Sequence, residues 1–263
     1  MKPGRLALLA FALLASACTG VIDAGPTETV SDTLEFTDVI DTLRIDNPAG
    51  DVDIEGTNGS TATVERTIRY TGDDQPDTTA DVNGGTLTLD IDCRLRRRCE
   101  VDYVIKLPSR FDLDANLASA GIDVQTITGD VQIDTASGSV RLTDVTGDVD
   151  VNGASGSIRL SGVAGDINLN CASGSIDGAG LSAEVVEVDV ASGSVELAFD
   201  DGVDRMVINS ASGRVTVEVP GGPYRVDTFS SSGDIDVNVA TDPGADRSIS
   251  VDTASGDITI DSA

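Results

Sequence analysis

Aspartates recur at a spacing of 18 residues in the middle of the chain, where they could bind metal ions. Asp130, Asp148 and Asp166 each follow a glycine in the same short motif. If equivalent residues stack about 5 Å apart, these carboxylates form one column. Oxygen ligands of this kind suit Ca²⁺, so one interpretation is a row of calcium sites. The other is a solvated acidic edge screened by salt. We expect the second, with no cofactor.

Serines in the alternate motif could supply nucleophiles. They are Ser137, Ser155, Ser173, Ser192, Ser212, Ser232 and Ser255. The chain has no His, which is the commonest general base and zinc ligand. Nothing near these hydroxyls could activate them for attack. We therefore predict hydroxyl ladders and tight corners, and no catalytic residue.

Two cysteines flank a basic segment. Cys93 and Cys99 stand between the strand-like runs Thr86 to Asp92 and Val101 to Leu107. We predict a disulfide that closes this hairpin, because exported proteins commonly form such bonds. A zinc site is the alternative, but two cysteines without His give too few ligands. Cys171 occupies a repeat position where we expect a small stacked residue rather than a reactive thiol.

Positive charge is concentrated between those cysteines, at Arg94, Arg96, Arg97 and Arg98. The whole chain has 17 basic and 45 acidic residues and a net charge of −28. The arginines are candidates for a contact with the acidic column of a neighbouring molecule or with an anionic cell-surface polymer. The other interpretation, which we favour, is a solvated hairpin tip. The acidic remainder excludes nucleic acid as a partner, because phosphate binding requires a cationic face.

The N-terminal residues have the pattern of an export signal. A basic start precedes nine apolar residues, Leu6 to Leu14, which are too few to span a bilayer. Small residues and Cys18 follow, and this arrangement resembles the lipobox of prokaryotic lipoproteins. The resemblance implies a signal peptide over 1–17, lipid on Cys18, and an extracytoplasmic protein anchored to the cell membrane or outer membrane. A plain secretory signal is the alternative, because Ala15 stands where the lipobox usually has leucine.

Short repeats dominate the second half of the chain. From Ile127 it reads ITGDVQIDT, ASGSVRLTD, VTGDVDVNG, ASGSIRLSG, VAGDINLNC and ASGSIDGAG, with glycine third in each unit. Two unit types alternate, so the structural period is 18 residues. The Ser-Gly motif continues at Gly193, Gly213, Gly233 and Gly256. We expect these glycines to mark successive, longer coils.

Each unit predicts a turn followed by a short strand. The alternation in Asp148-Val149-Asp150-Val151 puts both valines on one face. One such strand cannot bury its apolar face alone, so equivalent strands must stack into parallel sheets around a continuous core. The expected core columns are Val131, Val149 and Ile167; Ile133, Val151 and Leu169; Val140, Ile158 and Ile176; and Leu142 and Leu160.

These patterns predict an all-β parallel β-solenoid, or single-stranded β-helix, with coils of ~18–20 residues. No helical segments of the length required by an α/β fold are present, and a β-sandwich would not keep a fixed register between turns. We predict a tether over residues 18–33, irregular N-terminal coils with a hairpin cap over 34–120, and regular coils over 121–263.

A resemblance to a known family supports this fold. The stretch VDYVIKLPSRFDLDANLASAGIDVQTITGDVQIDTASGSVRLTDVTGDVDV resembles bacterial putative-adhesin domains of unknown function, in which a strand ending in proline precedes tandem Ser-Gly-Asp and Gly-Asp-Val repeats. The resemblance covers about residues 34 to 263. It implies a single-stranded β-helix, often on lipoproteins or membrane-tethered proteins, and it transfers no catalytic residues.

Two classes of function fit the sequence. The first is a lipid-anchored structural or adhesive surface module whose partner is a cell-envelope polymer, a surface protein or a second copy. The alternative is a polysaccharide-acting β-helix enzyme with Asp residues in acid–base roles. We expect the first, because the repeat spreads the Asp residues apart and aromatic residues make up 3% of the chain.

Overall fold

The structure, a computed structural model, describes residues 27–72, 75–93 and 99–263, and their regular elements are β-strands. None of these residues belongs to a helix that is long and apolar enough to cross a membrane. The strands in chain order are β1 (Thr27–Phe36), β2 (Thr42–Ala49), β3 (Val52–Thr57), β4 (Ala62–Thr71), β5 (Asp77–Asn83), β6 (Thr86–Asp92), β7 (Cys99–Pro108), β8 (Asp112–Ser119), β9 (Ile122–Thr128), β10 (Val131–Ser137), β11 (Val140–Thr146), β12 (Val149–Ser155), β13 (Ile158–Ala164), β14 (Ile167–Ser173), β15 (Ile176–Leu181), β16 (Val185–Ser192), β17 (Val195–Phe199), β18 (Arg205–Ser212), β19 (Val215–Val219), β20 (Arg225–Ser230), β21 (Ile235–Val237), β22 (Ser248–Ser255) and β23 (Ile258–Ser262).

Two sheets share one core. The first sheet has the order β1-β4-β7-β3-β9-β11-β13-β15-β17-β19-β23-β21, and the second sheet has the order β20-β22-β18-β16-β14-β12-β10-β8-β2-β6-β5. In the regular part, each 18-residue repeat places one strand in each sheet. Val149 lies opposite Val131 on one side and Ile167 on the other, in parallel register. The predicted all-β parallel solenoid is confirmed.

The core follows the predicted columns. Their members are buried and register-matched from coil to coil, because alternate side chains of each strand face inward. One further column was not predicted. Ile127, Val145 and Val163 are also buried, although strict alternation would face them outward. The residues before Val145 and Val163, Asp144 and Gly162, have φ angles of 53° and 64°. A left-handed residue at this point bends the strand and reverses its alternation.

Glycine at the corners allows adjacent coils to approach closely. Gly147 and Gly156 have φ angles of 148° and 135°, which side-chain-bearing residues rarely adopt. A Cβ atom at Gly147 would collide with the carbonyl group of Gly129 in the preceding coil, and one at Gly156 with that of Gly138. Backbone-to-backbone stacking therefore explains why the repeat keeps glycine in its third position.

The N-terminal boundary differs from the predicted tether over 18–33. Strand β1 begins at Thr27 and pairs antiparallel with β4 along its whole length. Its alternating residues Val30, Leu34 and Phe36 pack partly against the core. That apolar contact makes the segment from Thr27 onward part of the solenoid rather than a linker.

The expected hairpin around the cysteines is also corrected. Strand β6 pairs with β2 and β5 in the second sheet, whereas β7 pairs with β3 and β4 in the first. The Cys93–Cys99 disulfide therefore closes a corner between the sheets. The hairpin lies one step earlier, between β5 and β6, and turns at Gly84-Gly85, where both glycines have positive φ.

Stacking order departs from chain order at both ends. The β2–β3 coil lies between the β6–β7 and β8–β9 coils, and the β22–β23 coil lies between the β18–β19 and β20–β21 coils. Gly256 therefore contacts both Gly213 and Gly233, so the expectation that these three follow one another in chain order is wrong. The β22–β23 coil is more apolar than the β20–β21 coil and takes the inner place, because burying its side chains stabilises the fold more.

The two ends of the core are closed differently. Arg66 of β4 is 7% exposed and donates hydrogen bonds to Asp32 of β1 and Thr78 of β5, so it joins the edge strands of both sheets. A buried arginine is tolerated here because its charge is paired. At the opposite end, the inward positions of β20 and β21 are only partly covered, and Ile235 is 40% exposed.

Candidate functional site

The predicted aspartate column is present at the corner that precedes the strands of the second sheet. The Oδ1 atoms of Asp112, Asp130 and Asp148 accept the backbone N–H groups of the equivalent residues one coil further along, at 2.9–3.0 Å. Asp166 accepts the N–H of Val185 at 3.0 Å in the same way. One oxygen of each carboxylate is thus used in stacking the coils.

A wide acidic groove runs beside this column. Its volume is about 560 Å³, and its walls include the outward carboxylates of Asp114, Asp150 and Glu187. Arg44 pairs with Asp114 at 2.9 Å and Arg205 pairs with Glu187 at 2.8 Å. Within the described ranges, no group of three or more Asp, Glu or Cys side chains is placed to hold a metal ion.

A second column occupies the centre of the outer face of the second sheet. Its members are exposed Asp and Asn residues, one on each of nine strands in unbroken register. We call it the Asp/Asn column. In stacking order it contains Asp90, Asp46, Asn116, Asp134, Asn152, Asn170, Asp189, Asn209 and Asp252.

The Asp/Asn column ends on an aromatic ring. Phe229 of the outermost strand β20 lies in register with Asp252, and it is 59% exposed. The sequence repeat gives no sign of this neighbour, because Phe229 precedes Asp252 in the chain and follows it in the stack.

Alanines two residues further along these strands form the floor of a groove beside the Asp/Asn column. We call them the alanine column: Ala118, Ala136, Ala154, Ala172, Ala191, Ala211 and Ala254. Two adjoining depressions of about 640 and 490 Å³ share Asn170 and Ala172 and together follow the column. The first reaches Phe229. Small side chains leave this strip open along the solenoid axis.

The outer face of the first sheet carries isolated ion pairs. Arg141 donates to Asp123 at 3.0 Å, and Arg159 lies 3.8 Å from Asp177. These residues stack in one charged column. Exposed pairs of this kind contribute little to stability.

Shifted pKa values occur mainly near the N-terminal end. The hydrogen bond from Arg66 lowers the pKa of Asp32. Burial raises the pKa of Tyr103 to about 12. Burial and the neighbouring carboxylates of Asp123 and Asp51 raise the pKa of Asp53. Each of these pKa shifts is caused by core burial or by a neighbouring charged group. None of the three groups belongs to an acid–base pair that faces a candidate groove.

The cysteines have distinct settings. Cys93 and Cys99 form the predicted disulfide. Cys171 is free and buried, in register with Gly153 and Val190, and burial raises the pKa of its thiol. Cys18 and the arginines at 94 and 96–98 lie outside the described residues, so their predicted roles stay predictions.

A solved structure shares this fold. A "putative adhesin" from Parabacteroides distasonis matches with a TM-score of 0.56 at 14% identity, over 88% of this chain and 97% of that one. A "putative lipid binding protein" from the same species matches with a TM-score of 0.44 at 14% identity, over 89% and 96%. None of the curated proteins compared with the chain matches it. At such identities the likeness concerns the fold alone.

The family is shown by the sequence itself. The model described as Toastrack DUF4097 matches residues 40–261, a range that runs from just before β2 to the end of the last coil. It thus includes the strands from β2 onward, the aspartate corner and the Asp/Asn column. The chain belongs to the Toastrack DUF4097 family.

Proposed function

We propose that the chain is a lipid-anchored β-solenoid of the cell surface with a structural or adhesive role and no catalysis. The observation that carries this proposal is the unbroken register of the outer face of the second sheet, which repeats one polar group per coil. Such a face offers many equivalent contacts rather than one reactive constellation. The family and the name of the P. distasonis "putative adhesin" support a structural or adhesive role.

The proposed anchor would attach one end of the solenoid to the membrane. Strand β1 begins at Thr27, nine residues after Cys18, and it is the edge strand at the N-terminal end. Lipid on Cys18 would keep this end near the bilayer. The end that carries Phe229 would then lie farthest away, at roughly 48 Å for ten steps of about 4.8 Å along the second sheet.

Membrane fractionation and cell adhesion test the proposal. Cys18→Ser should release the protein from the membrane fraction, while the matched variant Cys171→Ser should stay with it. Cells that display the wild-type protein should adhere to native envelope material better than cells without it. Equal adhesion of the two cell types would refute the adhesive role, and membrane retention of Cys18→Ser with unchanged mass would refute the lipid anchor.

The arginine segment gives a proposed second contact. Arg94, Arg96, Arg97 and Arg98 stand in the sequence between Cys93 and Cys99, the two cysteines of the disulfide. We propose that they bind an anionic envelope polymer or the acidic column of a second copy. Replacing all four with glutamine should weaken binding to polygalacturonate and reduce self-association in low salt. Unchanged behaviour in both measurements would contradict the proposal.

A further inference from the structure

We infer that the groove over the alanine column binds a linear, uncharged, β-linked polysaccharide that lies along the solenoid axis, with the Asp/Asn column as its polar wall. This inference names a ligand class for the adhesive function proposed above, and it rests on that function only for its place at the cell surface. The site comprises the Asp/Asn column, the alanine column and Phe229.

The first argument is the geometry of the repeat. Register is kept on every strand from β6 to β20, so the column is continuous and its members recur at about 4.8 Å. One sugar of an extended β-linked glycan occupies about the length of one coil. Successive sugars can therefore meet equivalent side chains, whereas a globular partner gains nothing from this periodicity.

The second argument is hydrogen-bonding capacity. Carboxylates accept hydrogen bonds, and carboxamides both donate and accept them, which suits the hydroxyl groups of sugars. The side chains of Asn116, Asp134, Asn170 and Asp252 form no hydrogen bond or ion pair with another side chain in the described part of the chain. These groups are exposed beside a groove with small side chains on its floor.

One further feature of the groove points to a ligand. Phe229 lies at its end with 59% of its surface exposed, and an aromatic ring in that position can stack on the apolar face of a sugar. The groove thus combines unused polar capacity with an exposed ring.

Charge and shape exclude other occupants. Five of the nine members of the Asp/Asn column are acidic, and neither column contains a cation, so phosphate-bearing and uronic polymers are repelled. A protein strand would add to a sheet edge rather than lie across a sheet face. A neutral polyhydroxylated chain satisfies the side chains without bringing in like charge.

Titration calorimetry with the full-length protein in detergent tests the inference. The probes are cello- and chito-oligosaccharides of three and six sugars, with hexagalacturonate as the anionic probe. We expect a neutral hexasaccharide to bind at least about tenfold more tightly than the trisaccharide, because more coils are engaged. Hexagalacturonate should not bind in the groove, so the groove variants should leave any binding of it through the arginine segment unchanged. Phe229→Ala and the double variant Asn152→Ala/Asn170→Ala should each weaken hexasaccharide binding about tenfold or more.

The matched control is Glu196→Ala/Glu218→Ala, two exposed positions on the first sheet, which should bind like wild type. Urea midpoints and light scattering confirm that each variant is folded and keeps its oligomeric state. The inference is overturned if no neutral hexasaccharide binds, or if both groove variants bind like wild type. It is also overturned if Phe229→Ala acts only by dissociating an oligomer.

Adhesion assays distinguish this inference from the adhesive function. If wild-type cells adhere and both groove variants adhere equally well, the glycan groove is refuted while the adhesive role stands. If the purified protein binds glycan through the groove but displaying cells do not adhere, the adhesive role is refuted and the groove stands.

Discussion

The Oδ1 atom of Asp130 accepts a hydrogen bond from the backbone N–H of Asp148, one coil further along the stack, at 3.0 Å. Carboxylates at this spacing repel one another, yet each is held in the column by a backbone donor of the next coil. The corner aspartate therefore acts as a connector between coils. This explains why the Gly-Asp unit keeps its acid despite the large negative charge of the chain.

Substitutions of Asp130 separate the effect of its hydrogen bond on stability from the effect of its charge. Asp130→Asn keeps an oxygen acceptor and removes one charge, so at low salt it should be as stable as wild type or more stable. Asp130→Ala leaves the N–H of Asp148 without this partner and should lower the free energy of unfolding by about 0.5–1.5 kcal/mol. Asp134→Ala, which removes a charge but no hydrogen bond, should stay within about 0.5 kcal/mol. Urea denaturation measures all three. Equal losses for both alanine variants would contradict the connector role.

Salt and calcium should have different effects on stability. With a net charge of −28, the folded state should gain stability as NaCl rises, because screening weakens self-repulsion. We expect no further gain from Ca²⁺ at constant ionic strength, since one oxygen of each corner carboxylate is already bonded to the backbone. Melting temperatures under both conditions provide the measurement. A large rise specific to Ca²⁺ would instead make Asp130, Asp148 and Asp166 a metal site.

Thiol labelling should distinguish the three described cysteines. In the native protein Cys171 should react slowly, because it is 1% exposed and burial raises its pKa. In denaturant without reductant it should label fully, whereas Cys93 and Cys99 should not. Peptide mapping by mass spectrometry assigns the labels. Modification of Cys93 or Cys99 before reduction would show that the disulfide is absent.

The regular coils could be predicted because a single sequence period sets both their turns and their buried faces. Val149 illustrates this, since its motif position determines its inward direction and its two neighbours. The bend before Val145 was missed because the left-handed residue is Asp144 in one coil and Gly162 in the next. The sequence did contain a signal for this buried position, because an aliphatic residue stands first in each Gly-Asp unit.

The ends could not be predicted from the repeat alone. Gly233 and Gly256 lie in similar motifs, and only the comparative burial of their whole coils decides which one stacks on Gly213. The disulfide was predicted correctly, but the hairpin was placed at the wrong turn. Asn83-Gly84-Gly85 carries the stronger hairpin signal in the sequence. The centre of the Asp/Asn column could have been predicted, because Asp134, Asn152 and Asn170 share the eighth position of the Gly-Asp unit. Its outer members could not, because they depend on the order of the terminal coils.

The Asp32–Arg66 pair predicts a dependence of stability on acid. Because Arg66 lowers the pKa of Asp32 in the folded state, this stabilisation is complete above the ordinary value of 3.8 and is lost as pH falls through the lower folded value. Asp32→Asn should therefore be less stable than wild type at pH 7, and the difference should shrink below pH 3.8. Urea midpoints across this range measure it. Asp81→Asn, an exposed change on β5, is the control, and a difference that does not depend on pH would contradict the pairing.

The register of the solenoid can be tested with two adjacent residues. Val149 is 1% exposed between Val131 and Ile167, so Val149→Asp puts an unpaired charge into the shared core and should cost several kcal/mol. Asp150 faces outward and accepts only exposed amide hydrogen bonds from Asn152 and Asn168. Asp150→Val should therefore change the free energy of unfolding by about 0.5 kcal/mol or less.

Denaturant midpoints of both variants give the answer, with Val149→Ile as a control that keeps an apolar side chain in the column. A one-residue slip would exchange the two roles, because neighbouring side chains of a strand face opposite sides. A mild Val149→Asp with a severe Asp150→Val would thus invert the register. In a packed coil the charge of Val149→Asp cannot reach solvent, because the column is enclosed by a neighbouring coil on each side. If both changes had only small effects on the free energy of unfolding, this coil could therefore not be packed between its neighbours.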